Sequence, residues 1–265
     1  MQKGAQAVVT VASGSHAERL DYTFTSFAKN SFLKLHAFIF GDHLPDKRLP
    51  EITYHLVKPD LSFGDPMRDM YYRRLLLIDE LGEEFVLLVD NSDVLCLQAI
   101  PELPSLLRGA GLAGCVEHAG SRYILGQGYT SEYINCGVTV WHTPATKKMR
   151  EDIVARGRSR FRSVEDQLTF NEVVQTRYYD QFIILPCQYN FRAHFRRTRR
   201  GWPAVDSLDG VKIYHNAYSM PEAKKLASVK SLADLPALLP DTAPVSDWQK
   251  FLRKLQLRLH PHKAE

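Results

Sequence analysis

The stretch Asp90-Asn91-Ser92-Asp93 places two carboxylates and an amide within four residues, directly after the apolar run Phe85 to Val89. Oxygen donors two or three residues apart, released from a strand into a turn, can converge on one hard divalent cation. Asp and Asn also favour turns on their own account, because their side chains bond back to the local backbone, so a capped turn is the plain alternative. Other polar residues have equally plain readings. A lone histidine in an apolar strand, such as His215 in Val211 to Tyr218, is ordinarily a hydrogen-bonded core residue. Gln167 on a helix is ordinarily a surface amide, and Arg73 and Arg74 an ordinary solvated face. Chemistry follows only if the fold brings such groups together.

With 265 residues, 45% of them hydrophobic and 24% charged, the chain is long enough to bury a sizeable core as one large domain. Ala5 to Ala12 reads as a buried strand. The spacing of Ser15 and Glu18 is that of a capping box, which predicts a helix starting there with Leu20, Phe24 and Phe27 on one face. Leu33 to Asp42 reads as a second strand. Asp65-Pro66 caps a helix that runs to Leu81 and stops at Gly82, and Phe85 to Asp90 is a third strand. This alternation predicts an α/β domain with a mostly parallel sheet, whose ligands lie beyond the carboxyl ends of the strands. The Asp90 to Asp93 turn occupies such an end. Gly111 to His118 and Tyr133 to Thr143 read as further strands, Val164 to Val174 as a short helix, and Phe182 to Phe191 and Gly210 to Tyr218 as completing the sheet region. From about Asp241 the composition shifts. Trp248, Phe251, Leu252, Leu255 and Leu259 fall at helical spacing among Lys250, Arg253, Lys254 and Arg258, which predicts a main domain over 1–240 and a basic amphipathic helix over 241–265.

The segment YYRRLLLIDELGEEFVLLVDNSDVLCLQAIPEL, Tyr71 to Leu103, resembles the helix, strand and metal turn of the GT-A glycosyltransferases of family 8, with their Y-x-R-L helix and D-x-D motif. Matching Asp93-Val94-Leu95 to that pattern puts Asp93 on the second acid and Asn91 on the first, while Asp90 sits one place earlier as half of a D-x-x-D pair. Asn91 and Asp90 therefore compete for one role. Further stretches are similar in the family's order. Ala7 to Phe27 resembles the first strand and the loop that holds the nucleoside, with Thr10, Ala12, Ser13 and Ser15 in that region. YINCGV resembles the Y-F-N-x-G-V segment, placing Asn135 and Gly137 along the sugar pocket. EDQLTFN resembles D-Q-D-x-L-N at Asp166 and Gln167, with Leu168 in place of the second Asp. LPCQYN matches L-P-x-x-Y-N at Leu185, Pro186, Tyr189 and Asn190, and IYHNAY resembles the segment that brings a third metal ligand, here His215. The lysine that follows in the family aligns with Pro221, leaving Lys224 or Lys225 as substitutes.

The resemblance, over about residues 5 to 225, implies a single GT-A (Rossmann-like) domain and retaining transfer of a hexose from a UDP-sugar to a saccharide or glycoconjugate. It implies Mn²⁺, or Mg²⁺, held by Asp93, by Asn91 or Asp90, and by His215. A divalent ion offsets the charge of a departing diphosphate, and mixed carboxylate and imidazole ligands suit Mn²⁺ somewhat better. Asp166 would hold sugar hydroxyls, Gln167 would lie near the anomeric carbon, and Arg74 would face the donor. Asn91, Ser13 and Leu168 depart from the pattern, which keeps open a sugar-nucleotide-binding protein with a degenerate site.

Composition narrows the partners. The net charge of +4 is small, so nucleic acid is not expected, although the run Arg192, Arg196, Arg197, Arg199 and Arg200 among aromatics has the makings of a nucleic-acid patch. Within a glycosyltransferase it suits an anionic acceptor or a membrane. The four cysteines lack the close spacing of a zinc site and read as small apolar groups in a cytoplasmic protein. No window reaches the roughly 20 apolar residues of a membrane span, and nothing reads as a signal peptide. The amphipathic segment near the C-terminus has the make-up of an interfacial anchor, which points to a lipid-linked glycan acceptor at the inner face of a membrane.

Overall fold

Eleven strands and five α-helices appear, in chain order, among the residues that the computed structural model describes: 4–60, 63–117, 122–124, 128–130, 132–159, 166–192, 208–215 and 229–235. The arginine run beyond Arg192, Pro221, Lys224, Lys225, the amphipathic segment and its boundary at 241, and the side chain of Ser15 lie outside them. The elements are β1 (Gln6–Ser13), α1 (Leu20–Asn30), β2 (Lys34–Phe40), β3 (Ile52–Val57), α2 (Pro66–Leu77), β4 (Phe85–Val89), β5 (Val94–Cys96), α3 (Leu103–Leu107), β6 (Leu112–Val116), β7 (Arg122–Ile124), β8 (Gly128–Thr130), β9 (Ile134–His142), α4 (Thr143–Ser159), α5 (Asp166–Arg177), β10 (Phe182–Ile184) and β11 (Ile213–His215).

Seven strands form one sheet in the order β10-β6-β9-β4-β1-β2-β3. Neighbours are parallel except that β9 opposes both β4 and β6. The inner strands β1, β4 and β9 are buried on both faces, so they are continuous apolar runs rather than alternating ones. On one side Val9, Phe38, Leu88 and Trp141 pack against Tyr72 and Leu75 of α2, Ile153 of α4 and Phe170 of α5. On the other, Val8, Ala37, Leu87 and Val140 pack against Phe24 and Phe27 of α1 and Leu106 of α3. This is the mostly parallel α/β layering that the sequence predicts.

Local signals explain several boundaries. Asp65 accepts from the amides of Met67 (2.7 Å) and Arg68 (3.3 Å), Pro66 opens α2, and after a 3-10 turn over Ile78–Leu81 the helix ends at Gly82, whose φ of 67° is left-handed. The predicted start of α1 is corrected. The chain leaves β1 through Gly14 at φ 51° into a 3-10 turn over Gly14–Arg19, and the α-helix begins only at Leu20, with no side-chain cap. The sharp turn needed at the strand end displaces the helix past the Ser15 and Glu18 spacing, while Leu20, Phe24 and Phe27 are buried as expected.

The second correction matters for function. Only β10 of the last two predicted strands joins the main sheet; β11 pairs antiparallel with β5 in a ribbon, with His215 opposite Val94. That register sets His215 beside the turn that ends at Asp93. The sequence reading does not anticipate β3 or α4. The apolar residues of α4 are few and its charge density is high, and β3 is an edge strand with an exposed Leu56.

Candidate metal and donor site

Three elements deliver ligand atoms to one point at the carboxyl edge of the sheet. Asp90 follows β4, Asp93 precedes β5, and His215 ends β11. One ligand atom from each lies within 4.8 Å of the others. His215 Nε2 is 3.4 Å from Asp93 Oδ2 and 4.0 Å from Asp90 Oδ2. The floor is Gly137 of β9, whose carbonyl accepts from the Asp90 amide at 2.8 Å. A Cβ there would fall 2.3 Å from His215 Cε1 and 2.6 Å from Asp90 Oδ2, so only glycine allows this approach.

The residues fit a divalent cation on their own chemistry. Two carboxylates and an imidazole nitrogen converge, and Asp93 Oδ1 is buried with no hydrogen-bond partner. Burial raises the pKa of Asp93, against the pull of His215, as expected of a carboxylate short of positive charge. Asp90 differs. Burial also works against its charge, but Arg74 and His215 outweigh that and lower its pKa.

Arg74 projects from α2 and is nearly fully buried. It donates to Asp90 Oδ1 at 2.7 Å, to Asp166 Oδ2 at 3.2 Å and to the Cys136 carbonyl at 3.5 Å. Burial opposes its charge, yet the two carboxylates prevail and raise its pKa, so it stays a cation. Asp166 stands at the start of α5, where a carboxylate also suits the helix dipole. Arg73, its neighbour in sequence, points away and pairs with Asp69 at 2.9 Å.

Beside Asp90, Asp93 and His215 runs a partly buried amide network. Gln167 Oε1 accepts from the Cys136 amide at 3.0 Å and from Asn135 Nδ2 at 3.1 Å, and Gln167 Nε2 donates to Glu117 at 3.2 Å. Glu117 also accepts from Asn135 and from Arg192. Glu117 and Asn190 carry no predicted site role, and Arg192, predicted as part of a basic patch for an anionic partner, is instead buried against Glu117. Glu117 follows β6 as an isolated acid in a mixed segment, and only tertiary pairing distinguishes it.

The structure thus assembles Arg74, Asp90, Asp93, Asn135, Gly137, Asp166, Gln167 and His215 at one edge. Asn91 turns elsewhere: its Nδ2 donates to the His16 carbonyl at 2.7 Å and its Oδ1 is buried without a partner. It ties the Asp90 to Asp93 turn to the turn after β1, helped by Ser92, whose φ of 66° is left-handed and whose amide donates to Thr23 Oγ1 at 3.1 Å. Thr10 is fully buried, its hydroxyl donating to the Val89 carbonyl at 2.8 Å. Ala12 and Ser13 end β1 alongside, with Ser13 partly exposed. All four cysteines are free, and burial pushes Cys96 up to about 12.

No protein-family model and no curated protein matches the sequence. Solved structures do match. The WbbM bifunctional glycosyltransferase in its apo form superposes with a TM-score of 0.53 at 13% identity, over 95% of this chain and 51% of that one. This chain therefore spans about half the length of WbbM. Mouse xyloside xylosyltransferase 1, also apo, superposes with a TM-score of 0.54 at 11% identity, over 82% of this chain and 99% of that one. The fold is that of the GT-A glycosyltransferases. At such identities the likeness speaks for the architecture, and the chemistry must be argued from the side chains.

Proposed function

We propose that the protein is a metal-dependent, family 8-like glycosyltransferase that moves a hexose from a UDP-sugar to a saccharide or glycoconjugate acceptor with retention of configuration. The observation that carries this reading is the convergence of Asp90, Asp93 and His215 over Gly137 at the carboxyl edge of a GT-A fold. These three residues would hold Mn²⁺ or Mg²⁺, with Asp90 rather than Asn91 as the second acid, because the Asn91 amide is engaged with His16. A divalent ion there offsets the negative charge that develops on a departing diphosphate.

The chain's own residues supply the rest. Arg74 places a fixed cation between Asp90 and Asp166, which orients both carboxylates. Asp166 accepts sugar hydroxyls, and Asn135 and Gln167 border the reacting carbon, held in place by the Gly137 and Cys136 amides. Ala12 and Ser13 line the nucleoside end, and Thr10 braces β1 against β4 beneath them. Retention follows from attack on the face from which the diphosphate departs. The acceptor oxygen bonds to the anomeric carbon, the bond to the diphosphate breaks, and the acceptor proton passes to the departing oxygen. No helix among the described residues is long and apolar enough to cross a membrane. The amphipathic pattern of Trp248 to Leu259 supports peripheral contact and a lipid-linked acceptor.

Incubation with a panel of UDP-sugars, in Mn²⁺ or in EDTA, tests the reading. Release of UDP and a rise in Tm with one donor, only in Mn²⁺, is expected; no response to any UDP-sugar would overturn it.

A further inference from the structure

The orientation of the amide chain beside the metal ligands is fixed by backbone donors. An Asn or Gln side chain can exchange its oxygen and nitrogen in outline, so its direction must be read from partners that cannot be exchanged. The Gly137 amide is such a partner. It donates at 3.0 Å to Asn135 Oδ1, which is therefore oxygen. The Cys136 amide likewise donates at 3.0 Å to Gln167 Oε1, which leaves Asn135 Nδ2 to face that oxygen at 3.1 Å. Both ends of Asn135 are thus assigned.

Asn190 comes next. Its nearer end lies 2.8 Å from Asn135 Oδ1 and must be the N–H donor. Its other end, 2.9 Å from His215 Nδ1, is consequently oxygen. Two acceptors do not attract, so Nδ1 of His215 carries a proton and Nε2 is the nitrogen turned toward Asp93 and Asp90. Asn190 is fully buried and is placed by backbone pairing. The chain from Asn190 runs beside β11, with the Phe191 amide donating to the Ile213 carbonyl and the His215 amide to the Phe191 carbonyl, each at 2.8 Å.

We infer that Asn190 is a positioning residue that fixes the Nδ1–H tautomer of His215 and so presents Nε2 to the two carboxylates. Its consequence for metal binding rests on the site proposed above. A metal-ligating imidazole needs its second nitrogen held by an acceptor, and loss of such a partner weakens metal binding by about 10–100-fold. Because the chain continues through Asn135 to Gln167 and Glu117, the imidazole is oriented by the same amides that border the donor-sugar residues.

The test uses the full chain, ¹⁵N-labelled at histidine and free of metal, at a pH where imidazole is neutral. Long-range ¹H–¹⁵N spectra, with the His215 signals identified by their loss in His215→Gln, are expected to show the Nδ1–H form. Asn190→Leu, which removes the acceptor, is expected to populate Nε2–H and weaken Mn²⁺ binding by calorimetry about 10–100-fold. Asn190→Asp keeps the acceptor toward Nδ1 and should keep the Nδ1–H tautomer, even though it loses the donor to Asn135 Oδ1. An Nε2–H form in the parent chain, or an unchanged tautomer in folded Asn190→Leu, would overturn the inference. Should Asn190→Leu not fold, the parent spectrum decides. Failure of the parent chain to bind Mn²⁺ would instead sink the proposed metal site, while the tautomer still reports on Asn190.

Discussion

Buried ionisable groups collect at both ends of the central sheet, and the two collections obey different rules. Toward the amino end acids meet cations, Lys34 with Glu83 at 2.6 Å and fully buried Arg150 with Asp79, while His36 Nδ1 lies 3.0 Å from His55 Nε2. Each acid there has a cation beside it, although His36 Nε2, Glu83 Oε2 and two nitrogens of Arg150 are buried without a hydrogen-bond partner. At the carboxyl end, acceptors face acceptors at Asp90, Asp93 and His215, and one carboxylate oxygen of Asp93 lacks a partner. A cluster whose opposite charges are paired contributes to folding, whereas one that is short of positive charge is a place for a ligand. The amino end should therefore govern stability, and the carboxyl end binding.

The most damaging change should be Asp93→Ala. Mn²⁺ binding is expected to be lost and UDP-sugar turnover to fall by about 10²–10³-fold or more, while the metal-free chain melts no lower, since a strained buried carboxylate has been removed. Calorimetry with a thermal melt checks both halves; a large loss of metal-free stability would erase the contrast between the two ends. Gly137→Ala comes next. Its Cβ would meet His215 and Asp90 at under 3 Å, so the ligands must move, weakening Mn²⁺ binding at an expected stability cost of about 1–3 kcal/mol.

At the amino end the perturbation is pH. Burial lowers the pKa of His36, aided by His55 and Lys34 and opposed by Glu83. Burial lowers that of His55 too, opposed by Glu80. Unfolded imidazoles take up protons near about 6.5, and the folded pair only at lower pH. Between those values the unfolded chain binds more protons, so stability should fall as pH drops below about 6.5 and recover above it. Melts across that window should show a slope that His36→Leu/His55→Leu flattens; an unchanged slope would acquit the pair. The smallest effect belongs to Asp65→Ala, which removes the cap of α2 at the carboxyl end. It should cost about 1 kcal/mol and leave Mn²⁺ affinity unaltered, showing that position at that end does not by itself make a residue part of the site.

How much of this was legible beforehand varied with the range of the interactions. Asp65-Pro66 and Gly82 delimit α2 because capping and left-handed turns act over a few residues. The runs Ala5 to Ala12 and Phe85 to Val89 could be read as buried strands, since a sheet covered on both faces demands continuous apolar sequence. The edge strand β3 and the charged helix α4 escaped notice because neither shows a strong period. The capping box at Ser15 misled, because the turn forced by the end of β1 takes precedence over a local spacing. The amino-end pair of His36 and His55 left no trace in the sequence, as it forms across strands 19 residues apart.

The sequence by itself determined the class of fold, the carboxyl-edge location of the Asp90 to Asp93 turn, and the residue types available for chemistry there, all of which follow from local pattern. Only the tertiary structure decided that Asp90 and not Asn91 faces Asp93, that His215 reaches them through a ribbon outside the main sheet, and that Glu117, Asn190 and Arg192 complete the surrounding network. Those outcomes depend on strand register and on contacts between groups as far apart as Glu117 and Arg192. A chain settles such choices only when burial obliges each polar atom to find its partner.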